Sequence, residues 1–410
     1  MASNKSNTII LYISSFISVI IGVGTSVLNT HSLTVTEYGD VRYINNFISF
    51  FSSIFLFGFF ISGARLLAIT KDKTHRREIN GIMIIMLGIA SIMTCLAMSF
   101  CYVFHLYSSK IQLANLFLIS VPICSSQLML NYINNTFQGE NRIINLSIAR
   151  CIPGLLYLLL GYIIYQNISA SSSLMLLLQN GILLVVNIAN ILYTKPSFNN
   201  LGPRFRELWE ENKRYGIQVY LGSMFAVSFS YLAGIFLGIF GDDNSDVGFF
   251  MLATTIVTPL TILPAIVGTS YFREFASVDK INNKLLRGTV ILSVVSFLGF
   301  ILLVYPVVYI LYDDSYSTVA SIAIFLSFGS ISHGVGDMFN RFLGAHGMGK
   351  SLRNGAIICG AILLSGNIIL VYFWGTTGAI LTRVLASLSY LLSMIYYYLS
   401  FRQSCIKAHK

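Results

Sequence analysis

Charge is scarce in this chain. Only 10% of its 410 residues are Asp, Glu, Lys or Arg, while 55% are hydrophobic and the mean hydropathy is +0.74. A soluble 45.5 kDa chain would not cover its surface with so little polarity, so the composition points to a polytopic membrane protein. Cysteine is sparse as well. Cys95, Cys101, Cys124, Cys151, Cys359 and Cys405 show no CxxC or metal-type spacing, and five of them lie in or near apolar runs, where a free thiol acts as a small hydrophobe. There is no Walker A run, no GxSxG elbow, no HExxH and no pair of carboxylates in an apolar setting, which removes the usual signatures of an enzyme or a cofactor site. The net charge of +10 would suit nucleic acid, but the basic residues sit between apolar runs, where membrane topology demands them.

Long apolar runs are what the chain has in quantity. Twelve are readable, near 9–29, 43–63, 82–104, 112–133, 144–165, 172–193, 216–240, 247–270, 289–311, 318–338, 354–374 and 378–400. Each is close to the ~20 residues that a helix needs to cross ~30 Å of hydrocarbon. The first reads as a retained helix, since Lys5 alone precedes it and no small-x-small cleavage site follows. With both termini placed in the cytoplasm, all but Arg42, Lys110 and Arg383 of the 26 basic residues fall inside, while Glu37, Asp40, Asp242, Asp243, Asp246, Asp313 and Asp314 fall outside. The outer loops span only about 5–14 residues, too short to hold the sugar chemistry of a membrane polymerase or ligase.

The chain also repeats itself at an offset of about 206 residues. Asp40-Val41 matches Asp246-Val247, Asn80-Gly81 matches Arg287-Gly288, Asn131 and Asn134 match Asp337 and Asn340, and Arg65 and Ala68 match Arg273 and Ala276. Four weak matches in one order argue for duplication: an all-α protein of two six-helix lobes related by a pseudo-two-fold axis along the membrane normal, with a cleft between them. The expected domains are 1–194, a cytoplasmic connection over 195–214, a second lobe over 215–401 and a tail over 402–410. Within the connection, 203–214 reads either as an interfacial helix that dips Phe205, Leu208 and Trp209 into lipid or as a plain basic linker.

Charge beside apolar runs marks the candidate site. An intramembrane arginine costs on the order of 2.5–3.5 kcal/mol on insertion scales, so one far from the interface faces protein or a wet cavity. Arg65 and Arg273 close equivalent runs and suit an anion such as a diphosphate, which a guanidinium grips with paired hydrogen bonds; the alternative is two topology anchors. Arg42 and Arg383 stand at outer ends, where topology needs no cation, and are weaker candidates for a lumen; Asp40 or Glu37 would neutralise Arg42. Asn131 and Asn134 give the fourth run a polar inner end suited to sugar hydroxyls, or else a frayed exit. Asp337 reads as an i,i+4 ion pair with Arg341 or as an ion- or proton-coupling pair, while His31 and His333 read as satisfied polar residues. Tyr38, Tyr43, Tyr305, Tyr309, Tyr312 and Tyr316 lie toward the outside, as packing or as platforms for sugar rings.

Several short motifs resemble a known superfamily. Tyr38-Gly-Asp-Val41, its echo Ser245-Asp-Val-Gly248, Gly63-x-Arg65 closing the second run and Lys213-Arg-Tyr-Gly216 entering the seventh are similar to the multidrug/oligosaccharidyl-lipid/polysaccharide (MOP) flippases. The likeness covers essentially the whole chain and is to the polysaccharide-transporter branch, in particular the Wzx-type O-antigen flippases of Gram-negative inner membranes. It implies alternating access by two lobes, no cofactor, and a substrate of oligosaccharide on undecaprenyl diphosphate moved from the cytoplasmic to the periplasmic leaflet in lipopolysaccharide biosynthesis. A polysaccharide polymerase and a chain-length regulator are the implied partners besides membrane lipid. Carried onto this chain, Arg65 and Arg273 become the diphosphate contacts. A cation-coupled drug or metabolite exporter of the same superfamily is the alternative, and it would want acids within the first six runs, where none lies at mid-membrane.

Overall fold

The computed structural model describes residues 2–408, with side chains apart from those of 1–9, 11, 12, 273 and 406–410. The Lys5 side chain, the Arg273 side chain and the last residues of the expected tail therefore lie outside the described residues. Among the described residues every regular element is helical. They form two compact units divided between Met224 and Phe225, so the connection expected at 195–214 belongs with the first unit.

The first unit opens with α1 (Ala2–Ser32). Thr34 and Glu37 then form a capping box, each side chain serving the other's backbone N–H, and this starts α2 (Val35–Ile54). Phe57 (φ 46°) and Gly58 (φ 79°) are left-handed, a conformation that ends a right-handed helix, and the chain turns through 57° into α3 (Phe59–Ile69). Asp72 caps α4 (Lys73–Tyr107) by accepting the N–H groups of His75 (2.9 Å) and Thr74 (3.3 Å), and these bonds hold its carboxyl below the ordinary carboxylate range. After α5 (Ile111–Ser120) a 3-10 turn carrying Pro122 leads into α6 (Ser126–Gly139), followed by α7 (Ile143–Asn167) and α8 (Ser172–Tyr193). Leu67, Met83, Leu128, Tyr132, Ile133 and Phe137 are fully buried at the centre of one core that joins α3, α4 and α6.

The connection itself folds as α9 (Leu201–Glu211) and five residues of π-helix (212–216), leading into α10 (Ile217–Val227). Leu208 is fully buried in the core rather than turned to lipid. Phe205 and Trp209 are exposed, and Trp209 stacks on Phe59 and Phe205 with centroids 6.0 and 6.2 Å apart. The π-helical turn closes over the break between α2 and α3. Asn212 Nδ2 donates to the Phe57 carbonyl (3.0 Å), its Oδ1 accepts from Ser62 Oγ (3.0 Å), and the Tyr220 hydroxyl donates to the Ile54 carbonyl. Two irregular backbones thus satisfy each other, which leaves few orphaned groups at the break.

In the second unit a 3-10 turn leads from α10 to α11 (Leu232–Phe240), followed by α12 (Ser245–Ser270), the one-turn α13 (Phe272–Phe275), α14 (Asn283–Leu311), α15 (Thr318–Ala345) and α16 (Gly349–Ala408). Where α2 and α3 break, α12 runs through, with Pro259 and Pro264 inside it. The 60 residues of α16 would reach about 90 Å if straight. They do not, because Gly375 is non-helical (φ 50°, ψ −128°) and folds the element into a hairpin. Gly378 lies against the Leu370 backbone, Gly366 against Thr382 and Gly355 against Met394, the pairing of two antiparallel arms. Among the described residues ten helical stretches are long and apolar enough to cross a membrane, eleven when the bent pair counts as one crossing. Resolving α16 into its arms brings the total among the described residues to the twelve read from the sequence.

Candidate functional site

Arg65 does not stand free at the end of α3. Its Nη1 lies 2.8 Å from Glu211 Oε1 at the end of α9, and its guanidinium sits over the Tyr215 ring at 4.7 Å. Glu211 also accepts from Arg214 Nη2 (3.0 Å). Glu211 is nearly buried, whereas the Arg65 side chain keeps 42% of its exposure, so donors remain on its open side. A neighbouring network ties α9 to α4. Glu78 accepts from Arg204 Nε (2.9 Å) and Asn200 Nδ2 (2.8 Å), and Arg204 Nη1 reaches Glu207 (2.7 Å). His75 Nε2 lies 2.6 Å from Arg204 Nη1 and 2.9 Å from Glu207, yet one ring nitrogen serves either as acceptor or as donor. The backbone of Arg273 lies in α13, and its side chain falls outside the described residues, so the expected diphosphate pair is placed only at Arg65.

Arg42 donates from Nε to the Tyr38 hydroxyl (2.8 Å) and lies 5.1 Å above that ring. Glu37 is not its neutralising partner, because Glu37 accepts from the backbone N–H and hydroxyl of Thr34. Tyr38, Tyr43 and Tyr316 are fully buried and Tyr312 nearly so, which excludes them as sugar platforms in this conformation; Tyr305 and Tyr309 remain exposed. Asn131 donates back to the Gln127 carbonyl within α6, while Asn134 Oδ1 accepts from Arg150 Nε on α7 at 2.9 Å. Arg142 pairs with Glu140 (2.9 Å) and lies over Tyr193, and Asn80 donates to the other oxygen of Glu140.

In the second unit Asp337 departs from the expected helix-face pair. Its Oδ1 accepts from the Tyr390 hydroxyl on the second arm of α16 (2.8 Å), and no ion pair joins it to Arg341 among the described residues. The cause is direction: Arg341 is exposed, with its aliphatic stem against Gly268 of α12, while Asp337 faces α16. His333, one turn before Asp337, stacks its ring on Tyr390 at 4.5 Å and 19°. Arg383 is partly buried eight residues past Gly375, about 12 Å into its arm and not at the end of the crossing. Its backbone meets α15 at Gly329, one turn from His333. Polar groups on α15 and the second arm thus meet inside the second unit, with Tyr390 in direct contact with both Asp337 and His333.

The pattern of apolar runs and motifs does not single out Arg150, Glu211, Glu78 or Tyr390. For Arg150 a signal existed, since its position on α7 is periodic with Leu146, Ala149, Pro153 and Tyr157, all buried. For the others the partner lies far along the chain, and no local pattern names it.

Twelve apolar crossings among the described residues define a polytopic helical membrane protein. The chain belongs to the polysaccharide biosynthesis protein family, whose sequence model matches residues 5–272. Its fold is shared with transporters of the MOP superfamily. It superposes on a lipid II flippase MurJ in an inward closed conformation with a TM-score of 0.72, at 16% identity over 96% of this chain and 90% of that one. A multidrug resistance MATE family transporter in its inward-facing conformation gives 0.65 at 15% identity, over 96% of each chain. A MOP superfamily transporter from Pyrococcus furiosus, described by the reverse polarity of its binding pocket, gives 0.56 at 14% identity over 99% of this chain and 97% of that one. No curated protein sequence matches it.

Proposed function

We propose that this protein is a flippase that moves an undecaprenyl-diphosphate-linked oligosaccharide, an O-antigen repeat unit or its like, from the cytoplasmic to the periplasmic leaflet by alternating access of its two units. It does so without covalent chemistry and without a cofactor. The observation that carries this reading is membership of the polysaccharide biosynthesis family in a chain whose fold is that of membrane transporters. The partly open guanidinium of Arg65 supports it, and Arg273, Arg42 and Arg383 remain proposed contacts for the diphosphate or the lumen, with Asn131 and Asn134 for the glycan. The direction also fits electrostatics. A diphosphate carries about two negative charges, and a potential of 100 mV, inside negative, favours outward movement of each by ~2.3 kcal/mol. The Asp337–Tyr390–His333 contact is the proposed place for ion or proton coupling, because an acid inside apolar helices changes charge state only at a cost its neighbours set.

In a strain lacking this protein, lipid-linked oligosaccharide should accumulate on the cytoplasmic leaflet, and re-expression of the chain should clear it. An unchanged leaflet distribution in the deleted strain would sink the proposal. Drug export without any effect on glycan would instead favour the exporter.

A further inference from the structure

Among the described residues Arg150 lacks the acidic partner that four other arginines of the first unit have. Arg65, Arg142, Arg204 and Arg214 each face a glutamate within 3.0 Å. Arg150 faces a neutral acceptor, Asn134 Oδ1, and among the described residues no carboxylate comes within ion-pair distance of it. Only Nε is engaged, so the two Nη groups keep their donors free of protein partners among the described residues.

Position makes this informative. Arg150 lies seven residues past Ile143, about 10 Å along α7. At about 100° per residue, exposed Ile144, Ile148, Ile152, Leu155 and Leu159 share one face, which is the face for lipid. Arg150 falls on the opposite face, with buried Leu146, Ala149, Pro153 and Tyr157. It is nonetheless exposed. An exposed cation on the interior face of a membrane helix opens onto a wet volume, since hydrocarbon would not tolerate it.

The wall beside it is polar too. Gln127, Asn131, Asn134, Asn135 and Gln138 recur on one face of α6, opposite core residues Leu128, Tyr132, Ile133 and Phe137. All five are at least partly exposed. Asn131 and Asn135 donate to carbonyls of their own helix, which leaves their amide oxygens as acceptors. Apolar packing gives no reason for five amides in one stripe.

We propose that Arg150 binds the diphosphate of the lipid carrier and that Asn134 positions its guanidinium. The assignment rests on the flippase reading above and extends the anion site to a second arginine of the first unit. The free Nη groups offer the planar, two-pronged donor set that a diphosphate accepts, and the α6 amides border the place where the first sugar would lie.

The test is binding of sugar-free undecaprenyl diphosphate, with undecaprenol as the uncharged control, to the full chain in nanodiscs. The wild-type protein should prefer the diphosphate. Arg150→Gln should lose roughly 10- to 100-fold of that affinity, the range for one charge-assisted contact, while Arg150→Lys, which keeps the charge but not the two-pronged donor set, should recover only part of it. Asn134→Ala should weaken binding by itself yet add nothing in the Arg150→Gln background, a non-additivity that a merely structural role would not produce. Equal diphosphate affinity in folded Arg150→Gln overturns the assignment and leaves the flippase reading standing. A wild-type protein that does not distinguish diphosphate from alcohol overturns both.

Discussion

Replacing Gly216 with alanine should open the joint between the broken second crossing and the π-helical turn. An added Cβ would lie 2.0 Å from Ser62 Oγ, 2.2 Å from Asn212 Oδ1 and 2.7 Å from the Gly58 carbonyl oxygen. The serine can rotate away, but only by giving up its bonds to Asn212 and to the Gly58 carbonyl. The third contact is backbone, in a turn held left-handed at Gly58, and has nowhere to go. Overpacking costs about 1–3 kcal/mol and a lost buried hydrogen bond about 1 kcal/mol more, so the variant should lose roughly 2–4 kcal/mol. At about 2–4 °C per kcal/mol for a unit of this size, its unfolding midpoint should fall by roughly 4–16 °C. Tryptophan fluorescence of the purified full chain reads this locally once Trp374 is replaced by Phe, because Trp209 stacks on Phe59 at the start of α3. Gly88→Ala is the control. Gly88 lies in α4 with nothing near its Cβ position, so alanine should stabilise by up to about 1 kcal/mol through helix propensity. Equal midpoints for Gly216→Ala and wild type would refute the view that the joint is closed in the folded protein.

Arg65→Ala combined with Arg273→Ala should abolish surface polysaccharide while the protein stays inserted. The ion pair of half-exposed Arg65 with Glu211 contributes about 1 kcal/mol or less, too little for unfolding to explain the loss, and wild-type polysaccharide would remove both residues from the site. Asp337→Asn should reduce transport, and Tyr390→Phe, which deletes only the hydroxyl that donates to Asp337, should alter its dependence on external pH or sodium. Unaltered pH and sodium profiles in both variants would dismiss this contact as the coupling site. Asp72 supplies an acid test outside the crossings. Its folded carboxyl titrates below the unfolded value, so its capping of α4 is fully present above about pH 4 and is lost as pH falls through the lowered folded value. Asp72→Asn should keep the cap and flatten that part of the pH–stability curve measured by thermal unfolding.

Composition and periodicity alone determined the twelve crossings, their order and the duplicated pattern. The reason is that hydrocarbon imposes one length and one polarity on every crossing helix, so about twenty apolar residues suffice to mark it. The family was legible for a similar reason, in short motifs at crossing ends such as Gly63-x-Arg65 and Lys213-Arg-Tyr-Gly216. What only tertiary structure decided is how each charge is satisfied. Arg65 meets Glu211 from the far end of the connection, Arg150 meets Asn134 across two helices, and Asp337 takes its hydrogen bond from Tyr390 rather than an ion pair from Arg341. Such pairs follow from which helix faces touch after packing, and packing depends on shape over many residues at once. Local spacing therefore placed the arginines near the ends of crossings, and the fold chose which are held by an acid and which by a neutral acceptor.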